Sequence, residues 1–511
     1  MLNTRYARYG MVCSVDHLAS AAGVRALDLG GSAADAAIAT NAVLSVTAPH
    51  MCGMGGDLFA LVHPGAPGGT VTALNASGRA GSGADPERLR AEGHERMPHL
   101  RDIRSVPVPG CVDGWLGLHA RYGRVPFADL IEPAVRLAAE GFPASPLLAP
   151  SGQLVGGDFA QMKASGDLVR RPGVARTLEA IAREGRDGFY GGEFGEGLLE
   201  LGAGEYAPED LGKPLADWVE PWSVRAFGHD VWSMPPNSQG YLLLLALGVV
   251  DGLELPGSPD DTLFAHLLAE ASRVAGYDRP ALLHEHATNL VTEAEIARRR
   301  ALVDPAARGA LPGLTAAGDT TYLCAVDGDG MGVSLIQSNA SGFGSHLWEP
   351  RTGINLHNRG IGFSLLPGHA AEYAPGRRPP HTLTPALITR PDGSMRSVVG
   401  TMGGDAQPQI LLQIITRLLK YGQDPGTAVA APRWRLGSTT GFDTWNSPES
   451  TVVELEAGAP WADGLSSLGH PVSALPYGSS FGHAHLIDVL GSGAQAGAAD
   501  PRSLVGAALG R

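Results

Sequence analysis

A Thr pair at the mouth of a strand-turn-strand stretch, Gly318-Asp319-Thr320-Thr321-Tyr322, constrains this chain more than any other segment. Residues 322–326 and 331–338 are rich in β-branched and apolar side chains. With Asp327-Gly328-Asp329-Gly330 between them they predict two strands and a hairpin turn. If the chain is cut before Thr320, that residue carries a free α-amine beside its own hydroxyl. An amine with a pKa of about 7.7–8.0 serves as a base near neutral pH, so nucleophile and base come from one residue. The competing reading makes Thr320 and Thr321 β-branched residues that open a strand and nothing more.

At 511 residues the chain is long enough to bury a large core. Its net charge of −14 argues against nucleic acid or an anionic membrane as partner. Cys13, Cys52, Cys111 and Cys324 are scattered, with no Cys-x-x-Cys pair, so neither zinc nor a disulfide framework is expected and the thiols read as small buried hydrophobes. No metal site and no cofactor are expected. Asp327-Gly328-Asp329-Gly330 lacks the remaining ligands of a calcium loop, and His284-Glu285-His286 lacks the spacing that puts two imidazoles on one helix face. The first residues show no charged start followed by an apolar block, from which a cytoplasmic location is expected. Residues 241–250 are apolar but too few to span a bilayer, and predict a buried helix.

Ser32 is placed to cap a helix over 33–46, with Asp35 in its first turn. Residues 59–63 and 71–75 read as a strand pair across a Pro/Gly-rich turn. A mostly helical region follows over 109–202, and a second helical block over 263–301. Residues 304–318, rich in Ala, Gly and Pro, read as the least ordered stretch, directly before the Thr pair. Composition and element order alone give an α+β or α/β class.

Several motifs occur in one order along nearly the whole chain. Leu29-Gly30-Gly31-Ser32-Ala33-Ala34-Asp35-Ala36-Ala37, Ala48-Pro49-His50 and Gly53-Met54-Gly55-Gly56-Asp57 open it. Ser105-Val106-Pro107-Val108-Pro109-Gly110, Tyr122-Gly123-Arg124 and Met234-Pro235-Pro236-Asn237-Ser238-Gln239-Gly240 follow. After the Thr pair come Pro380-His381-Thr382-Leu383-Thr384-Pro385, Gly400-Thr401-Met402-Gly403-Gly404-Asp405 and Gly497-Ala498-Ala499-Asp500-Pro501-Arg502. In this series the chain resembles the γ-glutamyltranspeptidase family of N-terminal-nucleophile hydrolases.

The resemblance implies a four-layer αββα sandwich of α+β class. It also implies autocatalytic cleavage of the Asp319–Thr320 bond into a large fragment, 1–319, and a small one, 320–511. These would form one structural domain and stay together as a heterodimer, or as a dimer of such heterodimers. Thr320 would be the nucleophile, Ser338 the hydroxyl that supports it, and Gly403 and Gly404 the backbone donors of the oxyanion hole. Gly403-Gly404 can also be read as a plain turn after a strand.

The substrate pocket departs from the family pattern. Where relatives bind the α-amino group of a γ-glutamyl substrate with an Asn, a Gln and an acidic residue, this chain has Ala340, Arg359 and Gly362. The family Arg for the α-carboxylate matches Ser77, with Arg79 displaced by two positions, and a serine pair becomes His381-Thr382. An α-ammonium would meet Arg359 with like charge. The expected substrate is therefore a small molecule whose acyl group ends in a carboxylate held by Arg359, with Ser77, Arg79, His381 and Thr382 as further binding residues. For Arg359 the alternative is a surface salt bridge. The expected activity is that of a divergent acylase or amidohydrolase, cleaving an amide or, in natural-product biosynthesis, an oxalyl C–C bond. A genuine γ-glutamyltransferase or glutathione hydrolase and a catalytically silent binding homologue are the alternatives.

Overall fold

The computed structural model describes residues 4–66, 68–152, 155–311, 321–437, 443–446 and 451–511. Two seven-stranded sheets lie at its centre. One runs in the order Arg5–Ala7, Gln495–Ala499, Ala484–Val489, Met395–Thr401, Ala386–Thr389, His229–Ser233, Trp222–Ala226. The other runs Ala507–Gly510, Gly10–Ser14, Thr321–Asp327, Gly332–Ser338, Asp57–His63, Thr72–Ala76, Asp217–Val219. Every neighbouring pair in both is antiparallel.

The layering follows from side-chain alternation along the strands. In the strand after the Thr pair, Tyr322, Cys324 and Val326 point into a core shared by the two sheets, with Phe59, Leu387, Val398 and Ile487. Leu323 and Ala325 point the other way, against the helices His17–Asp28, Ala33–Thr47 and Phe127–Glu140. On the far side, Ala386, Ile388 and Val399 meet the helices Gly240–Asp251, Thr262–Gly276 and Gln407–Leu419. Strands buried on both faces explain why these segments are continuously apolar, and the result is the expected αββα sandwich.

Local expectations hold in most places. Ser32 caps Ala33–Thr47: its Oγ accepts from Asp35 N (3.2 Å) and Asp35 Oδ2 accepts from Ser32 N (2.9 Å). Thr321–Asp327 and Gly332–Ser338 form the expected hairpin, with Gly330 at φ 85° in its turn. Asp327 serves that turn, Oδ1 accepting from Asp329 N and Met331 N at 3.0 Å each. All four cysteines are free and buried. Among the described residues no helix is long and apolar enough to cross a membrane.

Two expectations need correction. The helical block expected over 263–301 is three helices, Thr262–Gly276, Arg279–Leu282 and Glu293–Arg300, because the intervening residues enter loops. The connector expected to be least ordered is tied down over its first part. Asp304 O accepts from His266 Nε2 (2.8 Å), Gly309 N donates to Glu270 Oε2 (2.8 Å), and Gly309 O accepts from Arg273 Nη1 (3.0 Å). Those partners are buried on the helix Thr262–Gly276, where polar groups must find hydrogen bonds. Residues 312–320, and so Asp319 and Thr320, lie outside the described residues.

Candidate active site

The site is assembled where strand ends from both sheets come together. Thr321, the residue after Thr320, pairs with Gln337, and Ser338 is the next residue on that neighbouring strand. Ser338 in turn pairs with Asp57. Among its contacts, Ser338 Oγ accepts from Ala340 N at 2.8 Å, a turn that sets Ala340 at φ 69°. That left-handed conformation suits Asn or Gly better than the Ala that stands here.

Gly403 and Gly404 follow the strand Met395–Thr401 and precede the helix Gln407–Leu419. The φ of Gly403, 136°, lies where a residue with a Cβ is strained, and Gly404, at 57°, sits in the left-handed region that glycine enters at least cost. The helix behind them adds the favourable field of its N-terminus for an anion. Gln239 fixes the loop from beneath: its Nε2 donates to Gly404 O and to Thr382 O, both at 3.0 Å.

The buried wall beside the glycines carries the polar residues of the site. Arg359 is only 1% exposed, which removes the surface salt bridge as its role. Among its contacts, Nη2 donates to Thr382 Oγ1 (3.3 Å). His381 Nε2 donates to Asp57 Oδ2 (3.0 Å), while its Nδ1 accepts from Leu383 N (3.4 Å). Burial and the neighbouring Arg359 charge push His381 down to about 3, so the imidazole is neutral. Burial would raise the Asp57 carboxyl, but His357, His381 and the Gly78 N–H (2.7 Å) outweigh it and keep Asp57 ionised. Asp405, after the glycines, is raised to about 7 by burial, with Arg279 opposing from 3.3 Å.

Ser77 belongs to the same wall. Its Oγ donates to Asn75 Oδ1 (2.7 Å) and accepts from Asn237 Nδ2 (3.2 Å), while Asn237 O accepts from His381 N (2.7 Å). The structure therefore brings Ser77, Ser338, Arg359, His381, Thr382, Gly403 and Gly404 into one connected region. Arg79 does not join it and is a correction. Its guanidinium is spent on Gly376 O (2.9 Å), Glu285 (3.3 Å) and Asp217 (3.5 Å). Arg79 lies beyond the strand that ends at Ala76, on a short bridge with Val108, where the regular strand no longer directs its side chain.

Gly362 also reports on specificity. A Cβ there would stand 2.4 Å from Pro380 O, so no carboxylate can be added at that position without moving backbone. The sequence reading gave no role to Asp57, Asn237 or Gln239, although each sits in a quoted motif. The available signal was an acid or amide embedded in a Gly/Pro-rich run, where it has few local partners and must bond at a distance.

Comparison with known proteins agrees with this geometry. Residues 19–510 match the family model described as gamma-glutamyltranspeptidase. The chain is 35% identical to a Bacillus subtilis protein named glutathione hydrolase-like YwrD proenzyme, over 98% of each chain. It is 34% identical to the oxamate amidohydrolase proenzyme of Klebsiella pneumoniae, over 98% of this chain and 99% of that one. The crystal structure of a cephalosporin acylase from Bacillus halodurans superposes with a TM-score of 0.90 at 33% identity, covering 100% of this chain and 97% of that one. The chain belongs to the γ-glutamyltranspeptidase family and is an enzyme of its N-terminal-nucleophile hydrolase and acyltransferase type.

Proposed function

We propose that the protein is a self-processing N-terminal-threonine acylase whose substrate is a small molecule with an acyl group ending in a carboxylate. One observation carries the reading: Arg359 is buried in the wall next to Gly403-Gly404 and bonded to Thr382, and three residues on, at Gly362, the side chain of an acidic partner for an α-ammonium would run into Pro380 O. A buried planar guanidinium recognises a carboxylate in a way a γ-glutamyl amine cannot replace. Of the relatives, one is named for oxamate, an amide that carries a carboxylate.

Maturation cuts the Asp319–Thr320 bond. Thr320 Oγ then attacks the substrate carbonyl, its proton passing to the Thr320 α-amine. The negative oxygen of the tetrahedral intermediate rests on the N–H groups of Gly403 and Gly404. The C–N bond breaks, the leaving nitrogen takes the proton back from the ammonium, and an ester to Thr320 remains. Water, deprotonated by the same amine, attacks the ester carbonyl and releases the acid.

A denaturing gel tests processing. The 319 and 192 residues on either side of the cut share 53.0 kDa as roughly 33 and 20 kDa, and Thr320→Ala leaves one inactive band. A fully active, uncut wild type overturns the assignment. Specificity is tested at Arg359: Arg359→Gln weakens use of oxamate or glutaryl amides by about 1.5–3 kcal/mol in kcat/KM, the worth of a hydrogen bond to a charged group. Efficient glutathione hydrolysis that ignores this change overturns the carboxylate reading and favours a genuine γ-glutamyl enzyme.

A further inference from the structure

A cavity of about 330 Å³ lies on the other flank of the glycine pair, between the loop that follows Ser338 and the loop that enters Gly403. Phe343 and Met402 come from those loops, Ser151 from the short helix Leu148–Gly152 with Leu147 before it and Val155 after it, and His50 from the turn after Ala33–Thr47. The volume suffices for a small organic group. Among the described residues that line it there is no carboxylate, lysine or arginine. Phe343 presents a ring backed by Phe159 and Trp348, with centroids 5.6 Å away in each case.

The two flanks differ in chemistry. Gln239 bonds Gly404 O and Thr382 O together, so the Arg359 wall adjoins Gly404. Met402, at the other end of the pair, lines the cavity and is tied through its N–H to His483 O (3.3 Å). A scissile carbonyl held by the glycines therefore has the cation wall to one side and the apolar cavity to the other. Ser151, His346, Ser479, His483 and His50 bring polar groups to the cavity lining, and of these His50 has both ring nitrogens buried and without a partner. Burial, and after it His483, push its pKa down to about 3, so it stands as a neutral imidazole with one donor and one acceptor unused.

Resting on the acylase reading above, we propose that this cavity is the leaving-group subsite. It selects an uncharged, flat apolar amine of about the size of an aniline ring. When the amide C–N bond breaks, the nitrogen takes the proton from the Thr320 ammonium and the amine leaves neutral, matching a mostly apolar cavity. A leaving group that ends in a carboxylate, as in an amino acid or peptide, must desolvate that charge with no lysine or arginine among the described lining residues.

The test uses processed enzyme and two donors with one acyl group, N-glutaryl-4-nitroaniline and glutaramic acid, whose leaving group is ammonia. Ser151→Trp fills the cavity from its rim and Val155→Asp places a charge in it; either one suffices if the other fails to fold. The ratio of kcat/KM for the anilide over that for the primary amide is expected to fall at least tenfold in each folded variant. An unchanged ratio overturns the proposal. If wild type cleaves neither donor, the glutaryl acyl group is not the one accepted, and direct binding of 4-nitroaniline, followed by calorimetry, decides the cavity by itself. Binding weakened at least tenfold by Ser151→Trp upholds the subsite, and equal binding, or none to wild type, overturns it.

Discussion

The glycine loop and the Arg359 wall meet at Gln239, yet they are built by different means. In the loop the groups proposed to work are backbone N–H donors, and what fixes them is conformation: φ values of 136° and 57°, a strand behind and a helix N-terminus ahead. In the wall they are side chains from four distant segments, around residues 57, 237, 359 and 381, fixed by hydrogen bonds among themselves. A backbone site tolerates little sequence change but does not care which substrate it serves. A side-chain wall can change identity one residue at a time while the loop stays intact. A family that keeps its chemistry and varies its acyl group is the expected outcome of that division.

The largest effect that could break the comparison lies in the loop. A Cβ at Gly403 is strained at its φ of 136° and would turn a proposed oxyanion donor away. Gly403→Ala is expected to lower kcat about 10²–10³-fold, with KM for the substrate little changed. Circular dichroism establishes folding and steady-state kinetics give the split. A variant that raises KM and leaves kcat alone would show that the loop binds rather than catalyses.

Legibility in the sequence follows the same division. The strand and turn of the loop could be read because such features have their cause within a few residues, whereas the part given to its glycines came only from the family resemblance. The hairpin 321–338 and the helix 33–47 were legible for that reason. The wall was only half legible. Arg359, His381 and Thr382 were found through motif position, whereas the role of Asp57 depends on His381 arriving from more than three hundred residues away. The connector 304–311 misled because its Ala/Gly/Pro composition says nothing about Glu270 and Arg273, which hold it from another element.

A second, intermediate effect concerns acid. His381 stands neutral in the wall because its folded pKa, about 3, lies far below the ordinary value of about 6.5. The unfolded chain therefore takes up a proton first as pH falls. The contribution of this residue to stability is fully present above pH of about 6.5 and is lost progressively toward pH 3. By pH 5 the loss is roughly 2 kcal/mol for this one group, and His50 and His485, also depressed to about 3, act in the same direction. Denaturant unfolding at pH 7 and pH 5 is expected to show a marked loss of stability in wild type and a smaller one in His381→Gln. Equal pH dependence in the two proteins would mean that His381 is not held neutral.

The smallest effect is expected at Arg79, and it marks where the wall ends. Its side chain is about a third exposed (32%), and its bonds to Asp217 and Glu285, at 3.5 and 3.3 Å, are long and partly solvated. Pairs of this kind contribute about 0.2–1 kcal/mol. Removing the charge should therefore leave the Arg359 wall as it is, since none of the hydrogen bonds that join Asp57, His381, Thr382 and Gln239 passes through residue 79. Arg79→Gln is expected to cost less than about 1 kcal/mol in unfolding free energy, and to leave kcat and KM for a carboxylate-bearing amide within about twofold. The contrast with Arg359→Gln is the informative part, because both changes remove one guanidinium within the same matched family region. A tenfold rise in KM at Arg79, with stability unchanged, would extend the substrate site out to the Glu285 and Asp217 side and make the wall a two-cation clamp.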